Sequence, residues 1–255
     1  AMKTPIRLHW ASSKPNFGDH LSPLICEFLS GRPVRHAKPD KCDLIAVGSI
    51  LHRLGERFWN RSVDVWGTGR LDARPPHKSK HRYHALRGKL TAATVANKRV
   101  NAFGDPGLLA DRLLDTLPSK QHTLGVVPHY SEREHPDIQA LLSRLPKAVF
   151  IDVFEEPRAV IAKIAACHFI LSSSLHGLVV ADALGVPNQW VRISDNLRGK
   201  DWKFFDYYSV FDGLQPKNAD INSIESIRDL ESRLVDYQRP GVNQIKEALV
   251  DAFPG

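Results

Sequence analysis

Cysteine and long apolar runs are both scarce in this chain. Three cysteines occur among 255 residues, at positions 26, 42 and 167, and no pair has a CxxC spacing. This scarcity disfavours a zinc cluster or a disulfide framework and favours buried thiols in a reducing compartment. No apolar run reaches the roughly 18 residues that a membrane span needs. The first residues also lack a signal-peptide pattern, so we expect a cytoplasmic protein.

Positive charge, by contrast, is in excess. The formal net charge is +7, and a composition of 42% apolar and 25% charged residues is typical of a soluble globular chain. Between Arg70 and Lys89, basic residues and histidines stand beside a single acid, Asp72. Such a cluster attracts anions, which could belong to a small substrate, an anionic membrane or a nucleic acid. No nucleic-acid-binding motif accompanies the cluster, so we expect no nucleic-acid partner.

The order of the apolar segments predicts an α/β fold. Strand-like runs such as IRLHW, RVNAF and HFILSS alternate with amphipathic stretches such as HLSPLICEFLSG and PGLLADRLLDTL. This alternation is typical of parallel sheets with helical crossovers. A polar segment near residues 118–122 predicts a boundary between an N-terminal domain, 1–120, and a C-terminal domain, 121–255. Two helix-like stretches after residue 221 could pack back across the first domain.

The segment from Ile170 to Pro187 predicts a buried strand, a serine-rich turn and a helix whose first turn carries His176. The first N–H groups of a helix lack partners, and the helix dipole favours an anion there. The histidine adds a group that can move a proton near neutral pH. The structural alternative is a serine cap followed by a core helix.

Several turns follow predicted strands in the first domain, where α/β proteins bind ligands. Asp19, in the NFGD turn, could accept a proton from a substrate hydroxyl or cap a helix. The glycines of the VGS and WGTG turns allow close approach to a ligand or simply tight turns, and no GxGxxG fingerprint is present. Arg87 could hold a phosphate or carboxylate, or lie on the surface. Asp105 is predicted to cap a helix that Pro106 begins.

Candidate groups also occur in the second domain. His129 follows a predicted strand and could face the mouth of a cleft or be structural. Lys203 lies in the aromatic segment DWKFFDYY, which could stack on a sugar or pack its own loop down. Glu155 and Glu156 could contact the ribose of a nucleotide sugar or begin a helix.

Taken in order, these motifs resemble those of the polysaccharide pyruvyl transferase family. The family resembles GT-B glycosyltransferases, so the resemblance implies two Rossmann-like domains that face a cleft, with the acceptor on the first and the donor on the second. Many members have an arginine where this chain has Ser174, and Arg87, Lys203 or Arg192 could supply that cation. The matching segments span residues 16–208 and are NFGD, VGS, WGTG, ALRGKLT, GDPGLL, GVVPHY, SSSLHGLVVADALGVP and WKFFDYY.

The resemblance implies an enzyme that moves the enolpyruvyl group of phosphoenolpyruvate (PEP) onto two hydroxyls of a sugar. The sugar would belong to a bacterial exopolysaccharide or cell-surface glycan, the product would be a cyclic ketal, and phosphate would be released. We expect no cofactor and no metal, a sugar or lipid-linked oligosaccharide as acceptor, and peripheral contact with an anionic membrane. The alternative is a GT-B glycosyltransferase that uses a nucleotide sugar.

Two residues are predicted to be catalytic. His176 is expected to protonate PEP or to orient it, and Asp19 is expected to act as the base for the acceptor. The other predicted site residues bind substrate: Asn16, Gly18, Gly48, Ser49, Gly67, Thr68, Gly69, Arg87, Gly88, His129, Tyr130, Ser172, Ser173, Ser174, Leu175 and Lys203.

Overall fold

The computed structural model of the chain describes residues 2–195 and 200–255. Within these ranges the strands form two five-stranded sheets. The strands of the first sheet are β1 (Ile6–His9), β2 (Val34–His36), β3 (Leu44–Ile45), β4 (Asp64–Trp66) and β5 (Arg82–Ala85). The strands of the second sheet are β6 (His122–Val127), β7 (Ala148–Phe150), β8 (Cys167–Ser172), β9 (Asn188–Arg192) and β10 (Ala219–Asp220).

Both sheets are parallel throughout the described residues. The first has the order β2-β1-β3-β4-β5 and the second the order β10-β9-β8-β6-β7. Parallel neighbours need crossover connections, which α-helices supply throughout the second sheet and between β1 and β2, whereas no α-helix of the described residues connects β2, β3, β4 and β5. The helices are α1 (Phe17–Ser30), α2 (Lys89–Ala92), α3 (Pro136–Arg144), α4 (Pro157–Ala165), α5 (Leu175–Ala183), α6 (Trp202–Tyr208), α7 (Ile227–Arg233) and α8 (Val242–Asp251).

The predicted α/β class with two Rossmann-like units is confirmed, and three local predictions differ from the structure. The RVNAF segment is not a strand, because it meets the first sheet only at a bridge between Leu86 and Phe103. The segment Pro106–Leu113 is a 3₁₀-helix where an α-helix was predicted. The edge strands β2 and β10 were not predicted, since neither contains a buried residue or lies in an apolar run.

Helix α5 lies at the centre of the molecule. All of its residues are buried, including both polar ones, His176 and Asp182. A helix that is apolar on every side belongs in a core. Asp182 remains buried because its carboxylate forms an ion pair with Arg239 at 2.9 Å. The hydroxyl groups of Tyr207 and Tyr237 and the side-chain amide of Asn188 also donate to it. Helix α5 thus holds the histidine on a rigid element.

One of the hydrophobic clusters spans both sheets. Leu8 and Trp66 from the first half belong to the same buried cluster as Val127 and Ile161 from the second. Helix α8 packs back on the first half, as predicted, and the indole Nε1 of Trp66 donates to the carbonyl of Leu249 at 2.9 Å. No helix of the described residues combines the length and apolarity needed to cross a bilayer.

Candidate active site

A cavity of about 240 Å³ lies where the carboxyl ends of strands from both sheets meet. Ligands of α/β proteins bind at this edge, because the loops that follow the strands converge there. The first half lines the cavity with Ala11, Asn16, Asp19, Gly48, Ser49, Ile50, His52, Arg53 and Leu71, and the second half with His129, Tyr130, Ser174, Leu175, His176 and Lys203.

The serine-rich turn before α5 shapes one wall of this cavity. Ser172 Oγ bonds to the carbonyl of Val127 and accepts the amide of Ser174, which closes the turn. Ser173 Oγ donates to the buried carboxylate of Glu132 and accepts the amide of His129. Ser174 is the N-cap residue of α5, but its hydroxyl makes no capping bond. The first amides of the helix and one hydroxyl are therefore left for a ligand.

His176 is paired with the carboxylate of Asp105. Its Nε2 lies 3.1 Å from Oδ2 and 3.3 Å from Oδ1 of Asp105, which is almost completely buried. Burial alone would raise the pKa of Asp105, but the charge and hydrogen bond of His176 and the amide of Gly107 hold the pKa below its usual value. An ionised carboxylate can only accept, so Nε2 of His176 carries a proton.

The second ring nitrogen of His176, Nδ1, makes no hydrogen bond to any described residue, and the side chain lines the cavity. It lies beside Gly18, where a Cβ atom would come within 2.6 Å of Nδ1. A side chain at position 18 would therefore displace the imidazole. Glycine in the NFGD motif makes room for the histidine, and Asp105 in the GDPG motif fixes the orientation of its ring.

Asp19 also lines the cavity, on the first turn of α1 and one residue after the glycine that packs against the imidazole. The helix is capped by Asn16, whose Oδ1 accepts the amide of Gly18, so Asp19 is not the capping residue. Its carboxylate makes no hydrogen bond to another described residue. Burial raises the pKa of Asp19, and the charges of His176 and Lys203 oppose that rise. An unpartnered carboxylate with a raised pKa suits a group that accepts a proton near neutral pH.

Lys203 and His129 supply hydrogen-bond donors from the second half. Burial, followed by repulsion from Arg87, lowers the pKa of Lys203 to about 8, and no described carboxylate pairs with its ammonium group. Burial and the charge of Lys203 lower the pKa of His129 to about 4. The amide of Ser131 donates to Nδ1 of His129, so the neutral ring carries its proton on Nε2. Both side chains can donate to an anion.

Arg87 lies beneath the cavity and does not line it. Its Nε donates to Asp206 at 2.9 Å, its Nη1 to Ser49 at 2.5 Å and its Nη2 to the carbonyl of Arg70 at 2.6 Å. The side chain is 1% exposed and that of Asp206 is fully buried. Asp206 also accepts the amide and hydroxyl of Thr91. The arginine thus joins the two halves, and among the described residues that line the cavity its only hydrogen-bond partner is the hydroxyl of Ser49.

Several other predicted site residues pack closely around this ion pair, and this packing explains why they are small. A Cβ atom on Gly88 would lie 1.9 Å from the carbonyl oxygen of Asp206. Gly67 packs against Pro106 and Gly69 against the guanidinium of Arg87. Thr68 is buried, and its hydroxyl donates to the carbonyl of Gly48 at 2.6 Å. These residues form the floor that supports the cavity and do not line it.

The residues weighed for the nucleotide-sugar alternative have structural partners. Glu156 caps α4 by accepting the amide of Ala159. Glu155 pairs with Lys163 at 2.6 Å. Among residues 2–195 and 200–255, no three His, Cys, Asp or Glu side chains are grouped as metal ligands would be.

Sequence patterns missed three important groups. Asp105 was interpreted only as a cap, a role that the structure confirms, since its Oδ1 accepts the amide of Gly107 at 2.8 Å. Its pairing with His176 joins positions 71 residues apart, and no local pattern reveals it. Arg53 lines the cavity from an unremarkable segment, and Asp206 is one of several acids near Lys203. The sequence feature that could have indicated Asp206 is an acid that lies within an aromatic segment.

Comparisons with known proteins identify the family. The family model described as polysaccharide pyruvyl transferase matches residues 13–195. An uncharacterized protein of Acanthamoeba polyphaga mimivirus is 32% identical over 216 residues, which cover 81% of this chain and 74% of that protein. The succinoglycan biosynthesis protein ExoV of Rhizobium meliloti (strain 1021) is 30% identical over 207 residues, 78% of this chain and 62% of ExoV. No solved structure matches.

Two parallel sheets around a polar cavity that a paired histidine and an unpartnered carboxylate both line define an α/β enzyme equipped to move protons. The chain belongs to the polysaccharide pyruvyl transferase family, since the family model covers most of its length. It is a transferase, and its reaction is pyruvyl transfer onto polysaccharide.

Proposed function

We propose that the enzyme takes the enolpyruvyl group from PEP and forms a cyclic pyruvate ketal on two hydroxyls of a glycan. The observation that carries the proposal is one cavity lined both by His176, whose Nδ1 makes no hydrogen bond to a described residue, and by Asp19, whose carboxylate is unpartnered. Ketal formation needs both an acid for the methylene carbon of PEP and a base for an attacking hydroxyl. The family match supports pyruvyl transfer, and the donor and the ketal are our proposal.

PEP binds against the second half in this proposal. Its phosphate and carboxylate are both anionic, and the first turn of α5 offers free amides and the positive end of the helix dipole. Lys203 adds a cation, and His129 adds a neutral Nε2–H donor. Together they supply the anion contacts for which many family members have an arginine in place of Ser174.

The proton transfers then follow from these two side chains. His176 gives the proton on Nδ1 to the methylene carbon of PEP, while Asp105 holds Nε2 and stabilises the charged ring. Asp19 takes the proton of the first hydroxyl as its oxygen bonds to C2 of PEP. A second hydroxyl then bonds to C2, and the bond from C2 to the phosphate oxygen breaks. Of the two hydroxyl protons, one balances the new methyl group and one leaves on hydrogen phosphate.

This reaction requires no cofactor, and we propose PEP as the donor substrate. A sugar or lipid-linked oligosaccharide is the proposed acceptor. We further propose that the enzyme acts in the cytoplasm at the inner face of the membrane, where a lipid-linked acceptor would be presented.

Phosphate release from PEP tests the proposal. The purified chain is incubated with PEP and a panel of free and lipid-linked oligosaccharides in D₂O, and the products are followed by ³¹P and ¹H NMR. We expect phosphate release that depends on the acceptor, and a ketal methyl group that carries one deuterium. Release of a nucleoside diphosphate from a nucleotide sugar, with no phosphate from PEP, would favour the glycosyltransferase alternative and overturn the proposal.

A further inference from the structure

A second open cavity of about 260 Å³ adjoins the main one on the first half of the molecule. His52 lines both cavities. Three of its lining residues, Arg70, Arg74 and His77, come from the basic segment after β4. Leu51, Leu54, Glu56 and Pro75 complete the lining.

Arg70 is a buried cation without an acidic partner. The residue is 5% exposed, and it forms no ion pair with a carboxylate anywhere in the described ranges. Its Nε donates to the hydroxyl of Thr94 at 2.7 Å, and its Nη2 lies 3.2 Å from Nε2 of His77. Both partners are uncharged when they accept. Arg87 differs from Arg70 in this respect, because Asp206 neutralises its charge.

Arg74 adds positive charge near Arg70, and Glu56 and Asp72 attract Arg70 without forming an ion pair with it. Arg74 lines the same cavity, and its only ion pair in the described residues is with the exposed Asp72 at 3.3 Å. The one acid in the lining, Glu56, directs its oxygens at the hydroxyl of Ser79 and the amide of Lys80. Burial, and then the charges of neighbouring arginines, lower the pKa of His52.

An uncompensated charge in a protein interior is costly, and a charged ligand that reaches it removes part of that cost. An arginine also presents a planar fork that matches carboxylate and phosphate groups. We propose that this second cavity binds an anionic group, a carboxylate or a phosphate, carried by the acceptor and not by PEP. The proposal rests on the proposed function, because it names the chemical class of that reaction's acceptor.

The position of the cavity favours the acceptor over the donor. The free amides of α5, Lys203 and His129 all lie on the second half and already provide for the anions of PEP. The second cavity lies entirely on the first half, on the side of Asp19. An anion held there would anchor an acceptor whose hydroxyls extend past His52 into the main cavity.

Calorimetric titration with simple probes tests this site. D-glucuronate represents a glycan carboxylate, glucose 1-phosphate represents a phosphorylated carrier, and glucose is the neutral control. We expect one or both anionic probes to bind with and without saturating PEP, and glucose not to bind. Arg74→Gln should weaken binding roughly tenfold or more, the scale of a lost charged hydrogen bond. Arg70→Lys tests the planar fork, and Arg61→Gln, outside the cavity, is the matched control.

The outcomes separate this proposal from the proposed function. Probe binding that PEP abolishes, or an Arg74→Gln variant that weakens PEP as much as the probe, would assign the cavity to the donor and overturn the proposal. Probe binding that is unchanged in Arg74→Gln and in a folded Arg70→Lys protein would also overturn it. Phosphate release from PEP is measured in parallel, so a failure of pyruvyl transfer is detected independently.

Discussion

Buried charged groups of the same kinds occur at two places in the protein. In the contact between Arg87 and Asp206 these groups have hydrogen-bond partners within the protein, whereas on the wall of the main cavity a carboxylate and an ammonium group have none among the described residues. Each nitrogen of the Arg87 guanidinium donates to a protein acceptor, and Asp206 accepts from Thr91 in addition. Asp19 and Lys203, on the cavity wall, have no hydrogen bond to another described residue. Buried polar groups normally find partners inside the protein. The difference separates charges that hold the fold together from charges left for a ligand.

The largest expected effect comes from breaking the satisfied pair. Asp206→Ala leaves the guanidinium of Arg87 buried without a counter-charge, and breaking a buried pair in this way costs about 3–5 kcal/mol of unfolding free energy. The exposed pair of Arg82 and Asp64 provides the control, because Arg82→Ala should cost about 1 kcal/mol or less. Urea unfolding measures both values, and equal losses would remove the distinction.

Substitution of a residue on the cavity wall should lower turnover and leave stability nearly unchanged. His176→Asn keeps a polar side chain but cannot transfer a proton at neutral pH. We expect phosphate release from PEP to fall roughly 100-fold or more, the scale of a lost general acid, with little change in Tm. Near-normal turnover in a folded variant would exclude the catalytic role, and failure to fold would instead favour a structural role for the histidine.

Asp105 combines the two cases. It is buried and paired, like Asp206, but its partner is His176, which lines the cavity. Asp105→Asn keeps the cap on Gly107 and offers an amide donor to Nε2 of His176, which moves the ring proton to Nδ1. We expect kcat to fall roughly 100-fold, because the charged ring loses its carboxylate partner, while KM for PEP changes little. An unchanged kcat, or a loss confined to KM, would show that Asp105 only caps its helix.

The smallest expected effect is a pH dependence of donor binding. The pKa of Lys203 is lowered to about 8, so its ammonium group is charged below pH 8 and loses its proton above it. KM for PEP should therefore rise by about tenfold between pH 7 and pH 9. Lys203→Arg stays charged over this range and should give a flat profile. A rise that persists in the arginine variant would have another source.

Sequence patterns predicted much of the fold because its strongest elements are locally encoded. Apolar segments indicated the long elements, the serines and His176 marked the turn and helix that follow β8, and strand ends indicated where a site would form. The prediction that Arg87 binds PEP directly rested on its position after a strand in a basic segment. That segment could not reveal Asp206, which is 119 residues away and occupies the guanidinium.

The sequence by itself determined the alternation of strands and helices, the place of His176 on the first turn of a helix, and the excess of positive charge. These properties depend on neighbouring residues, so they can be inferred from local order. The tertiary structure alone decided which charges are neutralised. Arg70 and Arg87 follow adjacent strands, yet only Arg87 meets an acid, because packing of α6 brings Asp206 to it. Partners distant in the chain are set by how the two sheets pack together, and that packing determined which groups remain for substrate.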